Sequence, residues 1–119
     1  MGTTQTTVQE AIDALEALYE FREPDEVRAF LADNPDLFDL LVEAAAKIPE
    51  FLPPDGPIVL HVVWDPEDER EDEDELFALV PTRLKWEGIR PLMDRMDREW
   101  LIGAGRFAAG RFNVDVEFR

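Results

Sequence analysis

The carboxylates between Asp65 and Glu75 are the residues of this chain best placed to do chemistry. The segment reads DPEDEREDEDE and carries nine of the 28 acidic residues in the sequence. Such a run can attract cations weakly, or it can attract a basic protein. A calcium loop of the EF-hand type needs glycine at its sixth position, and here that position is Arg70. We therefore predict an acidic loop over 65–75 that projects from the fold and binds a partner, with no metal site and no cofactor.

Two other motifs point only weakly to catalysis. His61 is the single histidine, which excludes a cluster of several histidines, and a lone strand histidine is typically a hydrogen-bonded side chain. The stretch 103–108 matches the G-x-G-x-x-A fingerprint of dinucleotide-binding proteins, but that fingerprint requires a strand before it and a helix after it. The order of elements here is the reverse, so we predict a helix-ending turn in which Gly103 or Gly105 is left-handed. No catalytic residue is predicted.

Trp100 and Arg106 flank this glycine-rich turn and together suggest a contact surface. Exposed Trp and Arg side chains are frequent anchors of protein interfaces. The alternative is that Trp100 caps the core beneath the turn, as large aromatic side chains often do. The candidate partner-binding residues are Glu67, Asp68, Glu69, Glu71, Asp72, Glu73, Asp74, Glu75, Trp100 and Arg106.

The charge of the chain is unevenly distributed. Residues 1–80 hold 22 acidic and four basic residues, whereas residues 81–119 hold six acidic and eight basic ones. A chain with a net charge of −16 repels the phosphates of nucleic acid and the headgroups of anionic membranes. We therefore expect a basic protein partner, and neither nucleic acid nor a membrane.

The same acid has a second explanation, which is adaptation to high salt. Arg outnumbers Lys ten to two, and 13 of the 22 acidic residues in 1–80 lie outside the acidic run. An acidic, lysine-poor surface keeps a protein soluble without any partner. The sequence leaves recognition and salt adaptation open.

Length and composition predict one cytoplasmic domain. A chain of 119 residues, 45% of them hydrophobic, is long enough to bury a single core. No apolar stretch reaches the roughly 18 residues that span a bilayer, and the start lacks the pattern of a signal peptide. The absence of cysteine favours a cytoplasmic location. We expect one domain over 1–119, with residues 1–6 disordered.

Helical periodicity dominates the first half of the chain. Apolar residues recur three or four apart over 8–19, 27–31 and 37–48, which predicts three amphipathic helices. Asn34 and Pro35 separate the last two, since proline disfavours helical geometry at the residue before it and suits the first helical turn.

The second half reads as strands around one helix. Residues 58–64 and 76–80 are short apolar runs bounded by prolines, and residues 111–119 alternate between apolar and polar side chains. An apolar stripe from Trp86 to Trp100 predicts the helix. The predicted fold is α+β, with N-terminal helices packed on a small, mostly antiparallel three-stranded sheet (α-α-α-β-β-α-β). The last strand is predicted to be a sheet edge that pairs with a second copy in a homodimer.

Three segments give the chain a resemblance to a known family. Residues 62–67 (VVWDPE), 97–101 (DREWL) and 106–119 (RFAAGRFNVDVEFR) resemble a family of small uncharacterised bacterial proteins. In that family a strand ends in Asp-Pro-Glu, a helix ends in Trp and a C-terminal strand ends in Asp-Val-Glu. The likeness covers roughly residues 40–119, and this chain departs from it with one Trp at the helix end and a long acidic insert. The resemblance implies the fold and carries over no activity.

Three functions are consistent with these features. The first is a non-enzymatic interaction or regulatory module that binds a basic protein. The second is a small ligand-binding domain or enzyme, with a site between sheet and helices formed by His61, Arg106 and Asp115 or Glu117. The third is a salt-adapted globular protein whose acid has no partner. A pocket in which His61 and Arg106 converge would favour the second.

Overall fold

A computed structural model describes residues 3–63 and 74–119, with the side chains of residues 8–63 and 74–119. The elements are α1 (Thr3–Leu18), β1 (Glu20–Phe21), α2 (Pro24–Asp33), a 3-10 turn (Pro35–Leu37), α3 (Phe38–Phe51), β2 (Val59–Val63), β3 (Glu75–Thr82), α4 (Trp86–Met96), a π-helical turn (Asp97–Leu101), α5 (Ile102–Ala108) and β4 (Phe112–Phe118). The α+β class is confirmed. All of the helices contribute to one core with the sheet. Of the residues 1–6 expected to be disordered, 1 and 2 lie outside the description, and α1 begins at Thr3.

The three predicted N-terminal helices form, and their apolar stripes are buried. Leu15, Leu31 and Leu41 represent the three stripes, and each is at most 1% exposed. The Tyr19 hydroxyl, just after α1, donates a hydrogen bond to the Leu41 carbonyl oxygen at 2.6 Å. Burial raises the pKa of Tyr19, so the hydroxyl keeps its proton and remains a donor. This bond fixes the end of α1 against α3.

The sheet has four strands rather than the three predicted, in the order β1-β2-β3-β4. β1 consists of Glu20 and Phe21 alone and pairs in parallel with β2. A strand of two residues is too short to show an alternating pattern, and periodicity therefore does not reveal it.

Two of the three strand pairings are parallel, so the prediction of a mostly antiparallel sheet is wrong. β2 and β3 pair antiparallel, as adjacent strands usually do, but β4 pairs in parallel with β3. The helical segment from Trp86 to Ala108 connects β3 to β4. A connection of that length returns the chain to the end of the sheet at which β3 begins, so β4 can run parallel to β3.

β3 continues through Pro81, so the prediction that this proline bounds the strand is wrong. Leu76 N donates to the Arg111 carbonyl oxygen of the β4 side, so in the alternation of the ladder the missing N–H of Pro81 faces β2. The register of β2 ends opposite Leu79, and no ladder bond is lost to the proline. The carbonyl oxygen of Pro81 accepts a hydrogen bond from Asp55 N at 2.9 Å.

The two faces of the sheet differ in what covers them. The inner face carries apolar side chains that belong to the core with the helices: Leu60, Leu76, Ala78, Val80, Phe112 and Val114. The outer face carries the side chains of opposite parity: Val59, His61, Phe77, Leu79, Asn113, Asp115 and Glu117. The alternation predicted for the last strand is therefore confirmed over its first part, with Phe112 and Val114 inward and Asn113 and Asp115 outward, whereas Phe118 at its end is 52% exposed.

One ion pair spans the outer face. The Arg22 guanidinium, at the end of β1, donates to both carboxylate oxygens of Glu117 in β4 at 2.8 and 2.9 Å. Because β1 and β4 are the two outermost strands, these side chains must reach over β2 and β3. Val59 lies on the outer face of β2 and is only 1% exposed, which we attribute to this cover.

The helical connection ends later than predicted. Gly103 and Gly105 lie inside α5, so the prediction that either is the left-handed cap is wrong. The chain turns at Ala109 (φ 53°) and Gly110 (φ 81°) instead, and Gly110 N donates to the Gly105 carbonyl oxygen at 3.3 Å. A left-handed pair after the last helical residue satisfies the final carbonyls of the helix. The glycine-rich stretch is therefore helical and leaves little side-chain volume on that part of α5.

Arg111 fixes the start of β4 to the helical layer. Its guanidinium donates to Asp36 Oδ2 at 2.7 Å and to Asn34 Oδ1 at 2.8 Å. Its Nε donates to the Ala108 carbonyl oxygen at 2.7 Å. These hydrogen bonds hold the pKa of the Asp36 carboxyl below its usual value. The bonds join the α2–α3 connection to the end of α5.

Candidate functional site

A groove of about 540 Å³ lies between α3 and the segment formed by the π-helical turn and α5. Its lining comprises Asp39, Leu40, Glu43, Glu99, Trp100, Gly103, Ala104 and Phe107. The floor is apolar and the rim carries three carboxylates. We call this site the acidic groove. Its volume is in the range of sites that hold several side chains or a small ligand.

The π-helical turn places Trp100 in the lining of the groove. In an α-helix Met96 and Trp100, four residues apart, share one face, as the sequence stripe predicts. In the structure Met96 is fully buried, and the next buried residue is Leu101, five positions on. A π-helical turn has five-residue spacing, so it brings Met96 and Leu101 onto the core face and moves Trp100 towards the side. Trp100 is half-buried, packed on the core at one side and facing the groove at the other.

The indole of Trp100 is oriented by a carboxylate across the groove. Trp100 Nε1 donates to Glu43 Oε1 of α3 at 3.3 Å. Both groups remain in contact with solvent, so this is a weak bond that a bound molecule can replace. The bond joins the two walls of the acidic groove.

Charge on the rim is acidic but partly balanced. Glu99 forms an ion pair with Arg95, one turn earlier on the same helical segment. The Arg95 guanidinium carbon also lies 5.5 Å from the ring centroid of Phe51, a cation–π distance. Asp39 and Glu43 form no ion pair with any other residue that the structure describes. These two acids, four apart on α3, therefore carry the net negative charge of the rim.

The α5 wall of the groove is open and apolar. Phe107 is 60% exposed, which is unusual for a phenylalanine on a helix that packs on a core. Gly103, one turn before it, has no atom within 4 Å of the position that a Cβ would occupy. An aromatic side chain beside an open glycine forms a shallow apolar surface that no other described side chain covers.

The predicted partner-binding residues do not come together in one place. Trp100 lines the groove, and Arg106 is exposed on α5 but is not part of the lining. The predictions for Glu67, Asp68, Glu69 and Glu71–Glu73 fall outside the described residues. Asp74 precedes β3, and Glu75 is the first residue of that strand, paired with Val63. The predicted loop therefore ends one residue earlier than expected.

His61 and Arg106 lie on opposite sides of the sheet, so the alternative site between sheet and helices does not form from them. His61 is on the outer face with Asp115 and Glu117. Arg106 is on α5, whose buried residues Ala104 and Ala108 belong to the inner core. The described residues also bring no three histidine or acidic side chains together in the arrangement that would hold a metal ion.

Two carboxyl groups near these surfaces have raised pKa values. Asp97 begins the π-helical turn, where partial burial raises its pKa and the charge of Asp94 adds to the effect. Glu75 is on the outer face, where partial burial raises its pKa against the opposing hydrogen bond from Asn113. Neither group lines the acidic groove.

Sequence reasoning identified Trp100 and missed the rest of the groove. Asp39 and Glu43 form a recognisable sequence pattern, because they are four residues apart on one helix face beside the buried stripe of α3. That pattern is common on solvated helices, and nothing in it indicates a groove. Phe107 was hidden because a turn was predicted where α5 forms. The phase shift of a π-helical turn has no reliable sequence pattern.

Comparison of the chain with protein-family models, with curated proteins and with solved structures finds no match. The resemblance to a bacterial family therefore stays a prediction. Within the part of the chain that the structure describes, no helix combines the length and the apolar character needed to cross a bilayer.

Proposed function

We propose that this protein is a non-enzymatic interaction module that binds a basic, amphipathic segment of a protein partner in the acidic groove. The observation that carries the proposal is the placement of Trp100 and Phe107 beside Asp39 and Glu43 around a single opening. Aromatic anchors surrounded by charge are typical of the centres of protein interfaces. A basic amphipathic helix offers the matching chemistry, with apolar residues for the floor and Lys or Arg for the rim.

The overall charge supports the same kind of partner. A net charge of −16 accelerates the encounter with a basic protein and repels acidic competitors. The acidic run, 65–75, adds its charge to this attraction. We place the interaction in the cytoplasm, in keeping with a chain that contains no cysteine.

The test is a titration of the protein into a fluorescently labelled helical peptide that carries Leu at i, i+3, i+4 and i+7 and Arg at the flanking positions. A peptide of the same composition in scrambled order serves as the control ligand, because it keeps the charge and loses the apolar face. We expect the ordered peptide to bind more tightly. Its affinity should fall as the Debye length decreases from about 10 Å at 0.1 M salt to about 3 Å at 1 M.

Gly103→Gln is the sharpest groove variant. The added side chain enters the open space above Gly103, and glutamine favours a helix over glycine, so the fold is retained. Gly105→Gln is the matched control, since Gly105 also has no atom within 4 Å of a Cβ position but does not line the groove. We expect Gly103→Gln to weaken the peptide by about tenfold or more and Gly105→Gln to leave its affinity unchanged.

A second pair of variants isolates the charge of the rim. Glu43→Lys and Glu50→Lys make the same change of net charge on α3, and only Glu43 lines the groove. Glu43→Lys should weaken the ordered peptide more than Glu50→Lys does. Equal losses for the two variants, or equal binding of the ordered and scrambled peptides, would contradict a groove site and leave general charge attraction as the explanation.

Salt adaptation is the second candidate, favoured by the exposed carboxylates of α1 and α2 that lie away from the groove, such as Glu10, Asp13 and Asp25. On that account the groove has no occupant. The native protein would gain stability between about 0.1 M and 1 M salt as repulsion among its carboxylates is screened, and neither peptide would bind at any salt concentration.

A further inference from the structure

A basic corner lies at the start of α4, in a chain that is otherwise acidic. It consists of Arg83, Leu84, Lys85, Trp86 and Arg90, and every one of these residues is exposed. Trp86 is 51% and Leu84 is 42% exposed, although the sequence stripe predicts that Trp86 faces the core. An exposed Trp among basic side chains has the composition of an interface anchor.

The geometry of the corner presents its apolar and basic groups together. Trp86 and Arg90 are four residues apart on α4 and share one helix face. Leu84 lies back against the first turn, since its Cβ is 3.9 Å from the position that a Cβ on Gly88 would occupy. The partial positive charge at the N-terminal end of α4 adds to that of the three basic side chains.

Two carboxylates also lie at this corner. Glu87 is exposed in the first turn of α4, and Asp55 Oδ2 accepts a hydrogen bond from Arg83 N at 2.7 Å. Three basic side chains against these two acids leave the corner with a small net positive charge.

This corner has the chemistry that the acidic groove lacks, and we infer that the basic corner of one copy of this chain docks in the acidic groove of a second copy. Trp86 and Leu84 match the apolar side chains of Trp100 and Phe107 in the groove. Arg83, Lys85 and Arg90 match the carboxylates of Asp39 and Glu43. The inference uses the groove of the proposed function and assigns it a specific additional occupant.

The two surfaces lie too far apart for the corner to reach the groove of its own chain. Trp86 and Gly103 are separated by 17 positions of continuous helix, which corresponds to about 25 Å at 1.5 Å per residue. The contact therefore forms between different copies and uses a different surface on each. Such a contact closes at a dimer only if the corner of each copy reaches the groove of the other; otherwise it adds further copies head to tail.

Salt separates self-association from the capture of a basic peptide. Two copies with a charge of −16 each repel one another over long range, whereas the corner and the groove attract only on contact. Screening removes the long-range repulsion first. Self-association should therefore strengthen as salt rises from about 0.1 M to about 1 M, while binding of the basic peptide weakens over the same range.

The experiment is sedimentation velocity on the full chain and on two variants. One variant disrupts the corner, and the other disrupts the groove. Trp86→Ser breaks the corner at an exposed position, and Gly103→Gln breaks the groove. Each variant alone should remain monomeric, with self-association weakened at least about tenfold. A mixture of the two holds one intact groove and one intact corner, so it should form a dimer and no larger species. Gly105→Gln should associate like the unmodified chain.

The mixing result decides the inference independently of the proposed function. A mixture that stays monomeric, or a Trp86→Ser variant that still associates like the unmodified chain, would overturn it. An unmodified chain that is monomeric at every salt concentration yet binds the ordered peptide in the groove would also overturn it, and the proposed function would stand. Self-association through the corner and the groove, with no binding of the ordered peptide, would support this inference and contradict the proposed function.

Discussion

The inner and outer faces of the sheet are built from alternate residues of the same strands, and they are stabilised in different ways. On the inner face Leu76, Ala78 and Val80 are each fully buried beneath the helices. On the outer face Asn113 and Asp115 are polar, and the Arg22–Glu117 ion pair is the contact that joins the two edges. Parallel pairing usually comes with cover on both faces. Here the described residues place no helix over the outer face, and one side-chain bridge crosses it.

If the proposed function holds, this difference assigns stability and recognition to separate layers. The inner face supplies most of the buried apolar area, which is the main source of folding free energy. The helices that cover it contribute the residues of the acidic groove, and the basic corner lies at the start of α4. Substitutions in the sheet should therefore change stability before they change binding.

The largest effect is expected from Phe112→Ala, on the inner face of β4. Phe112 is 3% exposed, and removing a buried aromatic ring costs about 3–5 kcal/mol. Its neighbour Asn113 faces outward, and Asn113→Ala loses only the hydrogen bonds of one side chain, about 0.5–1.5 kcal/mol. Urea unfolding of the two variants measures the contrast. Equal losses would mean that a second layer covers the outer face.

A smaller effect is expected from the bridge over the outer face. A double-mutant cycle with Arg22→Ala and Glu117→Ala should give a coupling of about 0.5–1 kcal/mol, towards the upper limit for partly exposed ion pairs. The coupling should shrink in high salt. The exposed Arg95–Glu99 pair of the groove rim is the reference, with about 0.3–0.5 kcal/mol expected for its spacing. If the coupling energy of the Arg22–Glu117 pair is no larger than that of this reference, the pair does not hold the two edges of the sheet together.

The smallest effect concerns pH and Glu75 on the outer face. Burial raises the pKa of Glu75 above its ordinary value of 4.5, so folding disfavours the ionised carboxylate. Its contribution to stability is therefore greatest below that ordinary value and declines as pH rises through the higher pKa of the folded state. Glu75→Gln should be more stable than the unmodified chain at neutral pH and equally stable in acid. Thermal melts at a series of pH values test this, and a variant that is less stable at neutral pH would reverse the assignment.

The parts of the fold that were predictable depend on long, uniform patterns. The apolar stripe from Leu37 to Ile48 is continuous, and β4 alternates along its length, so the buried face of α3 and the buried start of β4 were predicted correctly. β1 and the parallel pairing of β4 were missed because neither has a local cause. The first depends on the pairing of Glu20 and Phe21 with β2, which is distant in sequence. The second depends on the length of the helical connection between β3 and β4.

The candidate site was less predictable than the fold because it depends on departures from regular geometry. A regular helix places Trp100 on the core face with Met96, and the π-helical turn moves it to the groove. Gly103 and Gly105 are typical of a turn, and tertiary packing holds them in a helix against their propensity. Trp86 is typical of a core, yet it lies three residues before the first buried residue of α4, Ile89. In each case the residue type can be read from the sequence. The direction in which the side chain points depends on the geometry of the helical turns beside it.

The polar residues of β4 also bear on aggregation. Val114 N and Val116 N point away from β3, towards the open edge of the sheet, and they donate to the side-chain oxygens of the preceding Asn113 and Asp115 at 2.8 Å. A foreign strand approaching this edge would have to displace those oxygens before it could form a ladder, and it would meet negative charge as it did so. Edge strands without such protection act as templates for fibril growth. At high protein concentration, we therefore expect any assembly of this chain to be reversible and made of native molecules, with no amyloid-like lag phase.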